Sequence, residues 1–183
     1  ESEKLNVESK FSTFNCQFSI SKGWKLSFIE EAPKVNGTFN IDTLRTWETL
    51  DNDSAKVTMG TGVYETTFDL PSNPQHLSPD TQCAIDLGDV RESARVYINN
   101  VYVGCAWCVP YVLTFDNSIL KQKGNTLRIE VTNLPANRIA DMDRRGVKWR
   151  KFDDINIVNI NYKYRKYDIA RSEERFSRNA ETD

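Results

Sequence analysis

The sequence predicts an all-β protein built as an antiparallel β-sandwich, and three observations carry that expectation. Val, Ile and Thr together make up 39 of the 183 residues against 20 for Ala and Leu, a balance that favours pleated strands over helices. About eight or nine short segments alternate apolar and polar side chains with the period of a half-buried strand. Turns and long polar connections separate them, with no long helical period between, as in antiparallel sheets packed face to face. A closed barrel also alternates inward and outward positions and is the alternative architecture. At this length about 70% of the unfolded chain's surface can be buried, so one core is sufficient without staples.

The elements follow in chain order. Residues 1–13 are polar with scattered apolar positions and are expected to form an N-terminal linker or an edge strand. Cys16/Phe18/Ile20 and Trp24/Leu26/Phe28 alternate on either side of Ser21-Lys22-Gly23, which reads as a β-hairpin. Residues 32–60 lack sustained periodicity; Leu44, Trp47 and Leu50 at three-residue spacing suggest a short helical turn with Trp47 inserted into the structure. Tyr64/Thr66/Phe68/Leu70, Cys83/Ile85/Leu87 and Ala94/Val96/Ile98 each define one face of a strand. Asn99-Asn100 then separates Val96/Ile98 from Val101/Val103, and Asn tolerates the left-handed conformation that both centres of a type I′ hairpin turn require. Val112 to Phe115 is a further strand, and Leu127/Ile129/Val131 alternates with Arg128/Glu130/Thr132 as a strand with one wet face. The sandwich is expected to occupy 14–162, and 163–183 to be a charged, partly disordered tail.

Charge and reactive side chains narrow the function. With 24 Lys and Arg against 26 Asp and Glu, the net charge is −2, which argues against a general nucleic-acid or anionic-membrane binder. The basic stretch Arg144-Arg145-Gly146-Val147-Lys148-Trp149-Arg150-Lys151 reads as a charged outer strand or interdomain surface rather than a phosphate-tracking groove. No apolar run approaches the roughly 18 to 20 residues needed to span a bilayer, and the first residues form no hydrophobic targeting segment, so the chain is cytoplasmic or has lost a signal. Cys16 and Cys83 sit at apolar strand positions as small hydrophobes. Cys105-Ala-Trp-Cys108 has redox or zinc-knuckle spacing but no second pair at zinc-site spacing and no following helix. His76, the single histidine, falls in the Pro-rich loop Pro71 to Pro79 and is read as solvated. No Asp-x-Asp-x-Asp-Gly ladder is present, so neither a metal nor a cofactor is expected.

Gly62-x-Tyr64-x-Thr66-x-Phe68-x-Leu70, Asp86-Leu-Gly88-Asp-Val90, Ala94-x-Val96-x-Ile98-Asn99-Asn100-x-x-Val103-Gly104, Trp107-x-x-Pro110-Tyr111, Leu120-x-x-x-Gly124-Asn125-x-Leu127-x-Ile129-x-Val131-x-Asn133 and Asn137-Arg138 form a series. It resembles the sugar-binding β-sandwich domain of glycoside hydrolase family 2 and its relatives, over about residues 60–140. It is also similar to the accessory sandwich of large bacterial α-L-rhamnosidase-type hydrolases, in which a stretch like Gly146 to Arg150 follows the Asn-Arg pair. The sequence departs from the pattern at Asn100, where Gly is frequent, and at Cys105 and Cys108. The resemblance implies a galactose-binding-like jelly roll and a secreted, periplasmic or cell-surface bacterial protein. It also implies that catalysis belongs to a separate barrel domain, which at about 250 residues does not fit in this chain.

A sugar site joins an exposed aromatic plane to side chains that make directional hydrogen bonds. Trp107, Tyr111, Asn137 and Arg138 are the candidates, converging from two loops, with Trp47 a weaker one. The opposing reading packs Trp107 and Tyr111 into the sandwich edge and pairs Arg138 with Asp141. Glycoside hydrolysis commonly needs two carboxylates, and Asp51/Asp53, Asp86/Asp89, Asp141/Asp143 and Asp153/Asp154 are neighbours. In a chain with 26 acids such neighbours arise by chance, so no catalytic residue is expected. The expected partner is an oligo- or polysaccharide, or a neighbouring catalytic domain against which a purely structural sandwich packs.

Overall fold

A computed structural model describes residues 9–13, 16–20, 22–71 and 82–147, and these form an all-β antiparallel sandwich. A four-stranded sheet has the order β2-β1-β6-β9, from β1 (Ser9–Thr13), β2 (Cys16–Ile20), β6 (Gln82–Asp86) and β9 (Val112–Asp116). A six-stranded sheet has the order β4-β3-β5-β10-β7-β8, from β3 (Trp24–Ala32), β4 (Phe39–Ile41), β5 (Met59–Phe68), β7 (Ser93–Ile98), β8 (Val101–Ala106) and β10 (Asn125–Thr132). Every pairing is antiparallel. One apolar core joins Ile20, Cys83, Ile85 and Phe115 of the smaller sheet to Trp24, Leu26, Tyr64, Val96, Ile98 and Leu127 of the larger. Across it the rings of Phe18 and Phe68 lie 6.0 Å apart.

Three expectations are corrected. Ser21-Lys22-Gly23 does not close a hairpin: β2 pairs with β1 and β3 with β4 and β5, so this segment carries the chain from one sheet to the other. The alternation on both sides is real, but alternation reports a buried face and not the strand lying alongside. Residues 9–13 are neither linker nor edge, since β1 pairs on both sides, with β2 and β6. The wet face of β10 is interrupted at Glu130, which is buried between Arg95 and Arg128.

The hairpin at Asn99-Asn100 forms as its residues require, with φ of 49° and 65° and β7 paired to β8. The irregular stretch holds β4, a 3-10 turn at Trp47–Thr49 and α1 (Asp53–Val57), whose N-terminus is capped by Asn52 Oδ1 accepting from the Ala55 N–H at 3.0 Å. Trp47 enters the core because Gly62 opposite it has no Cβ: one built there would stand 2.7 Å from the indole. After β10 comes α2 (Ala136–Arg144), which the sequence pattern does not reveal because Ala140 alone among its residues is buried. It stops at Gly146, φ 68°, in a Schellman motif with Gly146 N–H donating to Asp143 O and Val147 N–H to Met142 O. His76, the side chain of Cys16, the second half of the basic stretch from Lys148 with Trp149, and the expected tail lie outside the described residues.

Candidate functional site at one end of the sandwich

Register places the connecting loops. Ala106, ending β8, pairs with Ala94 of β7; Ser93, opening β7, pairs with Thr132, ending β10; and Thr132 pairs with Thr61 of β5. The segments 87–92, 107–111 and 133–138 therefore leave the six-stranded sheet at the same end. The first two are joined by the Leu87 N–H donating to Tyr111 O at 2.9 Å.

Trp107 follows the last residue of β8, and its side chain is 72% exposed; Val109, two residues on, is 80% exposed. Val109-Pro110 is a cis peptide bond, and the Val112 N–H donates to Pro110 O at 2.8 Å as β9 begins. Tyr111 turns inward and is buried, so of these two aromatic residues Trp107 is the one that presents its plane to solvent. Burial, then the charges of Asp89 and Glu92, push the Tyr111 phenol above its ordinary range, with Arg91 opposing them.

Loop 87–92 supplies the polar groups. Gly88 at φ 68° and Arg91 at φ 65° take left-handed conformations, and the Gly88 N–H donates to Asp86 Oδ1 at 2.9 Å. Arg91 Nε donates to Asp89 Oδ2 at 2.8 Å with both side chains partly in solvent. Burial raises the Glu92 carboxyl above the usual carboxylate range. This end of the sheet thus bears an apolar plane at Trp107 and, on loop 87–92, carboxylate acceptors and one guanidinium.

The other sequence candidates are placed differently. Trp47 is a core residue, edge-on to Phe28 at 5.6 Å, which removes it from any ligand surface. Asn137 and Arg138 open α2, which packs against β5 and α1. β5 is three strands from β8, roughly 14 Å at the usual strand spacing, so they share the end with Trp107 but do not stand beside it. Asn137 Nδ2 donates to Glu48 Oε1 at 2.5 Å, and Arg138 Nη1 to Asp141 Oδ2 at 3.3 Å. The opposing reading thus describes Tyr111 and Arg138, whereas Trp107 is exposed. The sequence points to Asp89 only within the Asp86/Asp89 carboxylate pair and not to Arg91 or Glu92, although a charged run directly preceding a regular strand is a visible signal. Cys83 is a buried thiol raised by burial and then by Asp116, in keeping with a small hydrophobe. Cys105 is half-buried, Cys108 is exposed, and both are free thiols.

No protein-family profile matches the chain. Over 143 residues it is 30% identical to a protein of Formosa agariphila designated by name alone as a beta-glucuronidase, an alignment covering 74% of this chain and 12% of that protein. The structure of a rhamnosidase from Novosphingobium sp. PP1Y superimposes with a TM-score of 0.59 at 23% identity, over 75% of this chain and 12% of that one. The second likeness is one of fold. In both cases the chain spans a small part of the larger protein's length.

Proposed function

We propose that this chain is a non-catalytic accessory domain of a polysaccharide-degrading glycoside hydrolase, a galactose-binding-like jelly roll that holds carbohydrate at the end of the sandwich bearing Trp107. The exposed Trp107 indole carries this reading: a large apolar plane left in solvent at the end of the sheet that also bears Asp89, Arg91 and Glu92 is what a pyranose ring takes, its C–H face on the aromatic and its hydroxyls on polar groups. The similarity to 12% of a much longer protein named for glycoside hydrolysis supports an accessory role, and a secreted, periplasmic or cell-surface location goes with it. Catalysis then belongs to another part of the parent protein.

A second reading rests on a different observation. Met59 and Leu134 are exposed at the same end, where Asn133 donates to Thr58 O at 3.0 Å and accepts from the Gly60 N–H at 2.9 Å. Exposed apolar side chains on a rigid frame suit a sandwich that braces a neighbouring catalytic domain.

A glycan-array screen of the purified chain beside Trp107→Ala separates the two. Saturable binding that falls at least tenfold in Trp107→Ala, with an unchanged melting temperature, is the expected result. Silence across pectic, hemicellulosic and host glycans, or binding indifferent to Trp107→Ala, overturns the Trp107 site and leaves the bracing role.

A further inference from the structure

The outward face of the six-stranded sheet carries a second constellation, on residues separate from the Trp107 end. On β7, β8 and β10 the cross-strand partners Tyr97–Tyr102 and Arg128–Tyr97 set two tyrosines and an arginine in one row, and Arg95 opposite Glu130 begins the next. The Tyr97 and Tyr102 rings lie 5.4 Å apart at 53°, and the Arg128 guanidinium stands 5.7 Å from the centre of the Tyr97 ring. Arg128 Nη2 is 2.6 Å from Glu130 Oε1, and Arg95 Nη1 is 3.7 Å from Glu130 Oε2.

Over β7 and β8 the chemistry offered to solvent is one-sided, and the exposed carboxylate of Glu65 lies beyond Arg128 on β5. Tyr102 and the Arg95 side chain are just over half exposed, whereas the Glu130 side chain is only 8% exposed. On these two strands an incoming ligand therefore meets ring faces and guanidinium N–H donors, and the Glu130 carboxylate that holds Arg128 is withdrawn beneath them. Guanidinium groups donate and never accept, and their planar fork matches a carboxylate. Arg95 is the group free to turn toward a ligand, since its single contact with Glu130 is long. Arg128 is already oriented, with its Nε buried and without a hydrogen-bond partner. Along the Arg128 row the next residues are Glu65 on β5 and Lys25 on β3, so three cations face two carboxylates. A neutral sugar can hydrogen-bond these donors through its hydroxyl oxygens, but only an anionic sugar brings a full opposing charge to the two guanidinium groups while its ring stacks on the tyrosines.

We infer that the outward face of β7, β8 and β10 is a carbohydrate-binding surface selective for a carboxylated sugar, with Tyr97 and Tyr102 stacking the ring and Arg95 and Arg128 taking the carboxylate. It deepens the proposed carbohydrate-binding role at a surface distinct from Trp107. The test is affinity electrophoresis of the full chain through gels containing polygalacturonate or its fully methyl-esterified form, which keeps the rings and removes the charge. Retention by the acid form alone is expected, reduced at least tenfold in Tyr102→Ala and in Arg95→Gln, both substitutions at exposed positions, and unchanged in Trp107→Ala. Absence of retention, equal retention by the ester, or retention indifferent to Tyr102→Ala and Arg95→Gln overturns the inference. Retention abolished by Trp107→Ala alone also overturns it and assigns the acid to the end of the sandwich. Failure of the Trp107 site with the sheet-face site intact gives the opposite pattern, so the two proposals fail separately.

Discussion

Trp47 shows how one residue's role depends on the residue facing it. Its indole lies against Phe28 and over Gly62, where any Cβ would overlap the ring. Gly62→Ala is therefore expected to lower stability by about 1 to 3 kcal/mol through overpacking, and Trp47→Ala by about 3 to 5 kcal/mol through the cavity it leaves, both measurable by urea denaturation. Tyr64 is a second case. Its hydroxyl donates to Arg45 O at 3.2 Å, and burial first, then the charge of Glu48, raises its phenol well above the ordinary value near 10. A raised folded-state value stabilises the protein below the unfolded-state value, and this contribution is lost as the pH rises beyond about 10 toward the folded-state value. Tyr64→Phe is expected to cost about 1 kcal/mol at neutral pH for the lost hydrogen bond and to flatten the alkaline fall in stability. Denaturation midpoints between about pH 8 and 11 check both effects. At this scale the sequence marks which side chains are apolar, but an exposed Trp107 and a buried Trp47 are the same letter. What covers each is set by residues far away in the chain.

Elements were legible where local chemistry suffices. The type I′ turn needs two left-handed residues, and Asn99-Asn100 supplies them, but the two asparagines do different work. Asn99 Nδ2 donates to Ile119 O at 2.6 Å and to Asn125 Oδ1 at 2.9 Å, while its Oδ1 accepts from the Thr126 N–H at 3.0 Å. Asn99→Gly keeps the backbone conformation and loses those bonds, an expected cost of about 2 to 3 kcal/mol. Asn100→Gly is expected to change stability by less than about 0.5 kcal/mol, because glycine takes the same φ freely. Equilibrium unfolding of the pair measures the difference. Helix α2 is hidden in the sequence for the converse reason: a nine-residue helix with one buried alanine leaves no apolar stripe to read. Its support comes from Asp141 pairing with Arg138 and Arg145 and from the Gly146 cap, so that Arg138 is engaged within the helix while Asn137 is engaged by Glu48 of the 3-10 turn. The sequence placed that pair in a ligand site because side-chain chemistry is visible in a motif and side-chain engagement is not.

Across the whole molecule, residues from both sheets share one core, so unfolding is expected to be a single cooperative event. Ile85→Ala in the smaller sheet and Leu127→Ala in the larger should each lower the same transition by about 2 to 5 kcal/mol, with tryptophan fluorescence and far-ultraviolet circular dichroism giving coincident curves. Separate transitions for the two sheets would contradict this. The sequence by itself determined the class of fold, the faces of most strands and the hairpin at Asn99-Asn100, because these follow from period-two alternation and from backbone conformations that few residues adopt. Tertiary structure alone decided that β2 and β3 belong to different sheets, that β1 is an inner strand, and that Glu130 is buried between two arginines. It alone left Trp107 in solvent while covering Trp47 and Tyr111. Alternation records that a face is buried, whereas the identity of what buries it is a property of strand order and register, which arise from pairings between residues distant in the chain.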